Sequence, residues 1–258
     1  MDIHEPGKAA PRFTEMRVTL NTPEGPIRGS VQVDNGPIYL ADLVSTAQEL
    51  TNILVVRANR REEKAGRSIS CRAGCGACCR QMISLSIPEC FYLADYFDSF
   101  EPARKQEVQD RFDAAEGELT RRGITEFFEH ADYDDEAALK LAVDYFYLGI
   151  PCPFLVDESC SIHEHRPVVC RDYNVTSPAA WCTDPANHKI AKVTMPQPLS
   201  TPLARLAAEL TEAKPRLIPL TLALRFAAQN EALRCRTWPG LELFRKFLGY
   251  LDELPAER

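Results

Sequence analysis

Apolar and polar positions alternate at the start of the chain. Met16, Val18 and Leu20 mark one run, Asn21-Thr22-Pro23-Glu24-Gly25-Pro26 is rich in turn formers, and Val31 and Val33 resume the alternation. A period of two on either side of a Pro/Gly turn predicts a β-hairpin over 14–38. From Tyr39 the period lengthens. Leu40, Leu43, Val44, Ala47, Leu50 and Leu54 trace the i, i+3, i+4, i+7 stripe of an amphipathic helix that ends near Ala65-Gly66. Residues 70–82 read as a Gly-rich loop, and Pro88 suits the first turn of a short helix through Ala94 to Phe97. Helical patterns follow at 102–122 and 134–148, the second opened by Asp134 and Asp135. From Gly149 to about Ala186 the periodicity collapses, and Pro151, Pro153, Pro167, Pro178 and Pro185 break any long helix. It returns at 200–213, 217–235 and 240–254, where Leu241, Phe244, Phe247, Leu248 and Leu251 form one stripe.

The pattern predicts a mainly α protein with a small N-terminal β-hairpin and two cysteine-rich metal-binding loops between helices. Three segments follow from it: 1–66, hairpin plus helix; 67–186, the cysteine-rich region; and 187–258, helices packing on that region to give one compact domain.

Those two loops hold eight of the ten cysteines. The first carries Cys71, Cys75, Cys78 and Cys79 in the order C-x3-C-G-x-C-C; the second carries Cys152, Cys160, Cys170 and Cys182. Thiolate is the soft ligand of zinc, copper(I) and iron–sulfur clusters, and close spacing lets one loop offer several sulfurs to one centre. Gly74 and Gly76 bracket Cys75 and free the backbone for tight conformations. Neighbouring Cys78 and Cys79 do not both reach one metal from a regular helix or strand, so one of them serves a second metal or bridges. Four plus four sulfurs suit two 4Fe–4S clusters, two zincs, or one of each; spacing alone leaves the pairing of sulfurs with sites open. The bland alternative is a set of buried, packed thiols, a poor account of four sulfurs in nine residues. Cys90 and Cys235, in apolar helical contexts, read as core thiols. His163 and His165 are alternative ligands ranked below the cysteines. Arg166 and Arg171 are the candidate cofactor-binding cations, offsetting thiolate charge or holding an anion; pairing with Asp157, Glu158 or Asp172 is the structural alternative.

Composition narrows the function further. The net charge of −7 and the lack of a basic face argue against nucleic acid as a partner. The basic stretch from Arg57 to Arg72 is diluted by Glu62 and Glu63. The first ten residues lack the apolar region of a secretory signal, and no run approaches the ~18 apolar residues of a membrane span. These features predict a cytoplasmic protein without a membrane partner, in a compartment where clustered cysteines bind metal or act in redox chemistry. A protein or small-molecule partner is expected, its identity unspecified. The phosphate-loop, H-E-x-x-H, G-x-S-x-G and G-x-G-x-x-G motifs are absent, and catalytic residues are not assignable.

The order C-x3-C-G-x-C-C, C-P-F-L and C-x-I-x-E-x-R-P-x-V-C-R resembles the YkgJ-like cysteine-cluster proteins, a zinc- or iron-chelating group widespread in bacteria. Cys71, Cys75, Cys78 and Cys79 match its first motif; Cys152, Cys160, Ile162, Glu164, Arg166, Pro167, Cys170 and Arg171 match its second. His163 stands where the family usually has Tyr. The resemblance covers roughly 70–183 and implies iron–sulfur or zinc binding, with a link to flagellin lysine methylation for some members.

Three readings follow. The first is a metal-binding protein holding 4Fe–4S clusters for redox or modification chemistry. The second is a zinc-stabilised interaction module without catalysis. The third uses Cys71-x3-Cys75-x2-Cys78, the spacing of radical S-adenosylmethionine enzymes, for a noncanonical S-adenosylmethionine-dependent enzyme. Ala77 before the third cysteine, and the want of an alternating strand–helix series after Cys79, weaken that third reading. As an enzyme, the chain would be an iron–sulfur-dependent oxidoreductase or a methyltransferase-like protein.

Overall fold

In the computed structural model, which describes residues 12–129 and 135–253, the alternating segments pair as an antiparallel hairpin. Strands β1 (Phe13–Leu20) and β2 (Ile27–Asp34) run in register from Phe13 opposite Asp34 to Leu20 opposite Ile27. Their inward positions, Val18, Leu20 and Val33, are buried, so one face of the ribbon packs on the core, as a period of two requires. A short strand β3 (Pro37–Tyr39) leads into α1 (Asp42–Lys64), whose stripe Leu43, Val44, Ala47, Leu50, Leu54 and Ala58 is buried along its length. Gly66, in the left-handed region at φ 75°, ends the run.

Next come β4 (Ser84–Leu85) and α2 (Ile87–Asp98). Pro88 lies in the first turn of α2, and Ser86 with Glu89 forms a capping box. Helices α3 (Pro102–Arg121), α4 (Ile124–Glu129) and α5 (Asp135–Leu148) complete the first helical half. Asp134 falls outside the described residues.

The proline-rich stretch forms only short pieces: a hairpin of β5 (Leu155–Val156) and β6 (Ser159–Cys160), and α6 (Val168–Asp172). After α7 (Ser200–Leu210), the expected helix over 217–235 is broken up. It becomes β7 (Ile218–Pro219), a 3₁₀ turn at Leu220–Leu222, α8 (Ala223–Gln229) and α9 (Glu231–Arg234). Two residues explain the difference. Pro219 stands where a helix would need an N–H donor, and Asn230 folds its side-chain amide back to the Phe226 carbonyl at 2.8 Å, closing α8. β8 (Thr237–Pro239) and α10 (Gly240–Asp252) finish the described chain. A Cβ on Gly240 would stand 2.0 Å from the Asp34 carbonyl, so only glycine lets α10 start against the end of β2.

Among the described residues the strands form four two-stranded antiparallel pairs, β1–β2, β3–β8, β4–β7 and β5–β6, with no β/α alternation. One contiguous buried cluster joins the hairpin, α1, α2, α3, α7, α8 and α10. Phe91, Phe154 and Phe247 are among its largest fully buried side chains. A second, much smaller cluster of Ala77, Val175 and Cys182 lies apart from it. Among the described residues, no helix is long and apolar enough to cross a membrane.

Candidate metal centre

The first cysteine block begins as a loop and ends in a 3₁₀ turn over Ala77–Arg80. Gly74 takes φ 79°, a left-handed conformation that reverses the chain between Cys71 and Cys75. Gly76 is needed for closeness rather than for φ: a Cβ there would meet Glu158 Oε2 at 2.5 Å and Leu155 Cδ1 at 2.8 Å. The first block therefore lies directly against the β5–β6 hairpin of the second. In a 3₁₀ turn successive side chains are splayed by about a third of a rotation. Cys78 and Cys79 consequently start from different faces of the turn.

The second block docks on the first through its backbone. Cys152 N–H donates to the Cys79 carbonyl at 2.7 Å, and Leu155 N–H donates to the Cys152 carbonyl at 2.8 Å. Phe154, fully buried, meets the Phe112 ring edge-on at 5.4 Å and anchors the segment in the main core. Asp157 and Glu158 both take positive φ, 47° and 56°, which is the turn geometry a two-residue hairpin loop demands. That turn is clamped by Arg80, whose guanidinium donates to both Glu158 oxygens at 2.9 and 2.6 Å. The hairpin sets Cys160 opposite Leu155. Cys170 comes from α6, which packs on α1. Farther on, Ser70 N–H donates to the Val175 carbonyl at 2.9 Å, and Cys182 sits in a 3₁₀ turn over Ala179–Thr183.

The eight predicted thiols are thus gathered from both loops, and all ten cysteines are free thiols. Their mutual electrostatics separates two neighbourhoods. Burial raises the thiol pKa of Cys182, and the neighbouring sulfurs that add to it are Cys71, Cys75 and Cys78. Burial likewise raises Cys71, with Cys78 and Cys75 contributing. On the other side burial pushes Cys152 up to about 12, helped by Cys160 and Cys78. It carries Cys170 well above the ordinary thiol range, with Cys152, Cys78 and Cys160 adding to the effect. Cys160 is raised by burial too, and Cys78 is the sulfur that bears on it. Between the two groups Cys78 is drawn down to about 7, chiefly because its sulfur accepts a hydrogen bond from the Cys79 thiol. Cys79, the donor in that bond, is raised, and Cys152 and Cys170 are its other sulfur neighbours.

The two arginines divide their tasks. Arg171 is buried and fully engaged. It donates from Nε to the Arg166 carbonyl at 2.9 Å, from Nη1 to Asn52 Oδ1 at 3.0 Å, and from Nη2 to the Glu164 carbonyl. It therefore holds the loop between Cys160 and Cys170 and pins that loop to α1. Arg166 Nε, in contrast, is buried without a hydrogen-bond partner, and its charge bears on Cys71, Cys78 and Cys160. The carboxylate of Glu158 pairs with Arg80 rather than with either of them.

The histidines lie off the thiol cluster. His165 stacks on Tyr96 with ring centroids 3.8 Å apart and shares a 2.8 Å hydrogen bond between its Nδ1 and the Tyr92 hydroxyl. It lines a cleft of about 320 Å³ with Asp42, Ser45 and Asp95, at the start of α1. His163 is exposed beside Arg166. Cys90 is a buried core thiol, as its context predicts. Cys235 is not: the break at Asn230 turns it outward, where its Sγ meets Glu231 at 3.2 Å.

Sequence reading passed over two contributors. Glu89, fully buried in α2, accepts from Val168 N–H at 2.9 Å and so fixes the start of α6 below Cys170. Gln48 donates to the His165 and Arg166 carbonyls at 3.4 and 3.1 Å, tying α1 to the same loop. Neither carries a local signal, since both act on backbone groups of a loop far along the chain.

Among the described residues, no three His, Cys, Asp or Glu side chains converge in an arrangement that would hold a metal ion. The chemistry of the donor set nevertheless fits a soft metal. Eight unoxidised sulfurs come from two segments that meet in the fold, most of them half-buried or buried, and the Arg166 charge bears on Cys71, Cys78 and Cys160. Against known proteins, residues 70–193 match the family model described as "CxxCxxCC: Putative zinc- or iron-chelating domain". No curated protein and no solved structure matches the chain. Neither the fold nor the family match carries the S-adenosylmethionine reading.

Proposed function

Because residues 70–193 belong to the CxxCxxCC zinc- or iron-chelating domain family, the YkgJ-like proteins, we propose that this chain holds iron in that domain. In our reading the metal is bound as iron–sulfur clusters on Cys71, Cys75, Cys78, Cys79, Cys152, Cys160, Cys170 and Cys182. The observation that carries the reading is the meeting of the two cysteine blocks where Cys152 N–H donates to the Cys79 carbonyl at 2.7 Å, which brings eight free thiols into one domain. That is twice the four thiolates of one structural zinc. A cluster supplies electron transfer or reductive activation when bound. The protein's own part is to present thiolates, to keep them from water by burial, and to offset their charge with Arg166. Burial keeps the metal-free thiols of Cys71, Cys152, Cys160, Cys170 and Cys182 protonated, so loading them releases protons and strengthens as pH rises. The proposed setting is the cytoplasm, where such thiols stay reduced.

Zinc is the second reading, favoured by the absence of any alternating strand–helix scaffold of a cluster-dependent enzyme among the described residues. The chain would then be an interaction module knitted together by metal. Purification without oxygen, followed by metal and acid-labile sulfide analysis and a visible spectrum, decides between them. Iron and sulfide near one to one, with broad absorption near ~400 nm, are expected. A colourless protein carrying only zinc would sink the iron reading and leave the interaction module.

A further inference from the structure

Helix α5 buries one side and leaves the other bare. Tyr145 is buried, and Leu141 and Leu148 pack against the main core. On the opposite side Leu139, Val143 and Tyr147 are 69%, 53% and 59% exposed. Spaced at i, i+4 and i+8, they line up as one apolar ridge about 12 Å long. Single exposed apolar residues are ordinary on a protein surface; large ones set in a row mark a place where something docks. The helix also needs support. At 14 residues α5 is marginal as an isolated helix, and it shares no extensive contact with any other element among the described residues. Cover on its outer side would stabilise it.

The charges beside the ridge say what that cover is. Lys140 and Asp144 are both exposed and stand one turn apart along its edge. Were two such helices to pack in parallel, Lys140 would face Lys140 and Asp144 would face Asp144. Turned antiparallel about a two-fold axis near Val143, each Lys140 instead comes opposite Asp144 of the second copy, twice by symmetry. In the same orientation Val143 packs on Val143, and Leu139 lies against Tyr147. The face is thus complementary to itself, as a two-fold interface requires.

We propose that α5 is a self-association surface, on which a second copy of this chain docks its own α5 antiparallel, ridge on ridge. None of the eight predicted metal ligands lies on α5, so the surface stands independent of metal. Three ridge side chains per copy cover far less than the ~800 Å² per partner of a standard interface, which makes the dimer weak and concentration-dependent.

Sedimentation velocity tests this on the full chain, kept under reductant so that thiols do not cross-link. A dissociation constant near ~100 µM is expected for so small an interface, so wild type should pass from monomer to dimer as concentration rises through that value. Val143→Glu sets a charge at the axis and should stay monomeric throughout. Lys140→Glu and Asp144→Lys should each weaken association by about fivefold, because like charges then face each other across the axis. Mixed one to one, these two variants should pair again as heterodimers, since every charge across the axis is then opposed. The double exchange, Lys140→Glu with Asp144→Lys, should associate as wild type does, and circular dichroism checks that each variant keeps its helices. A wild type still monomeric at ~500 µM would overturn the proposal. So would a Val143→Glu chain that dimerises as before, or a charge-variant mixture that fails to associate.

Discussion

The two halves of the cysteine region are built differently. The half carrying Cys152, Cys160 and Cys170 is fastened by apolar anchors, Ile150, Phe154, Ile162 and Val168, which are all buried in the main core. Polar ties reinforce it: Glu89 to Val168, Gln48 and Arg171 to the loop carbonyls, and Arg80 to Glu158. The half carrying Cys71, Cys75 and Cys182 has a small apolar cluster of three buried residues, Ala77, Val175 and Cys182, and one isolated β-bridge, Val175 to Lys192. At roughly 25 cal/mol per Å² of buried apolar surface, so small a cluster cannot offset the cost of ordering a loop of that length. The lesson is that one half is positioned by the main core, while the other rests on a small cluster of its own and a few backbone bonds.

The comparison can be broken most directly by removing metal. Structural metal contributes on the order of 10 kcal/mol in small thiolate sites. Chelation is therefore expected to open 70–76 and 173–193 to rapid amide exchange, while α1, α2, α7 and α10 keep their protection. Equal loss of protection in both halves, or in the helices as well, would show that the halves do not differ. A smaller effect should come from the anchored side. Phe154→Ala removes a fully buried ring and is expected to cost about 3–5 kcal/mol. The cost should appear as a lowered urea midpoint even with metal bound, since the anchor and not the sulfur has been lost.

The remaining effect is the most specific in pH. Burial, with Glu89 adding to it, raises the Asp172 carboxyl to about 7, and one of its oxygens lies buried without a partner. An unfolded Asp gives up its proton near ~4. The folded protein thus holds that proton over a range where the unfolded chain has lost it. The stability this confers is complete below about 4 and is lost as pH rises through about 7. Asp172→Asn, which no longer has to ionise, should therefore match wild type near pH 4 and exceed it by about 4 kcal/mol at pH 8. Denaturant midpoints at the two pH values test this; a variant destabilised equally at both would place the Asp172 contribution in its contacts instead.

How much of this was legible in the sequence follows the same division. The hairpin, α1, α2, α3 and α10 were readable because each carries a clean period on one buried face, and Pro88 and Gly66 punctuate the ends. The 217–235 segment was not. Its apolar density is helical, but Pro219 and Asn230 act through single backbone groups that a periodicity count averages away. Among the sulfurs, spacing showed that they form blocks but not how they group. Their grouping depends on contacts such as Cys79 to Cys152, between residues far apart in the chain. The outward turn of Cys235 was hidden for the same reason as the break that causes it. Glu89 was passed over, because its bond to Val168 joins elements with no shared local pattern.

The hydrogen bond from Cys152 N–H to the Cys79 carbonyl has a kinetic meaning as well. It closes a loop that contains α2, α3, α4 and α5, so the first block is synthesised and exposed well before its partner sulfurs exist. Closure entropy and the packing of those helices both come first. During biosynthesis the vicinal Cys78 and Cys79 therefore wait as unpaired thiols on a turn. The two cysteine blocks can meet only once Cys152 has been made, so nothing that needs both of them can form earlier.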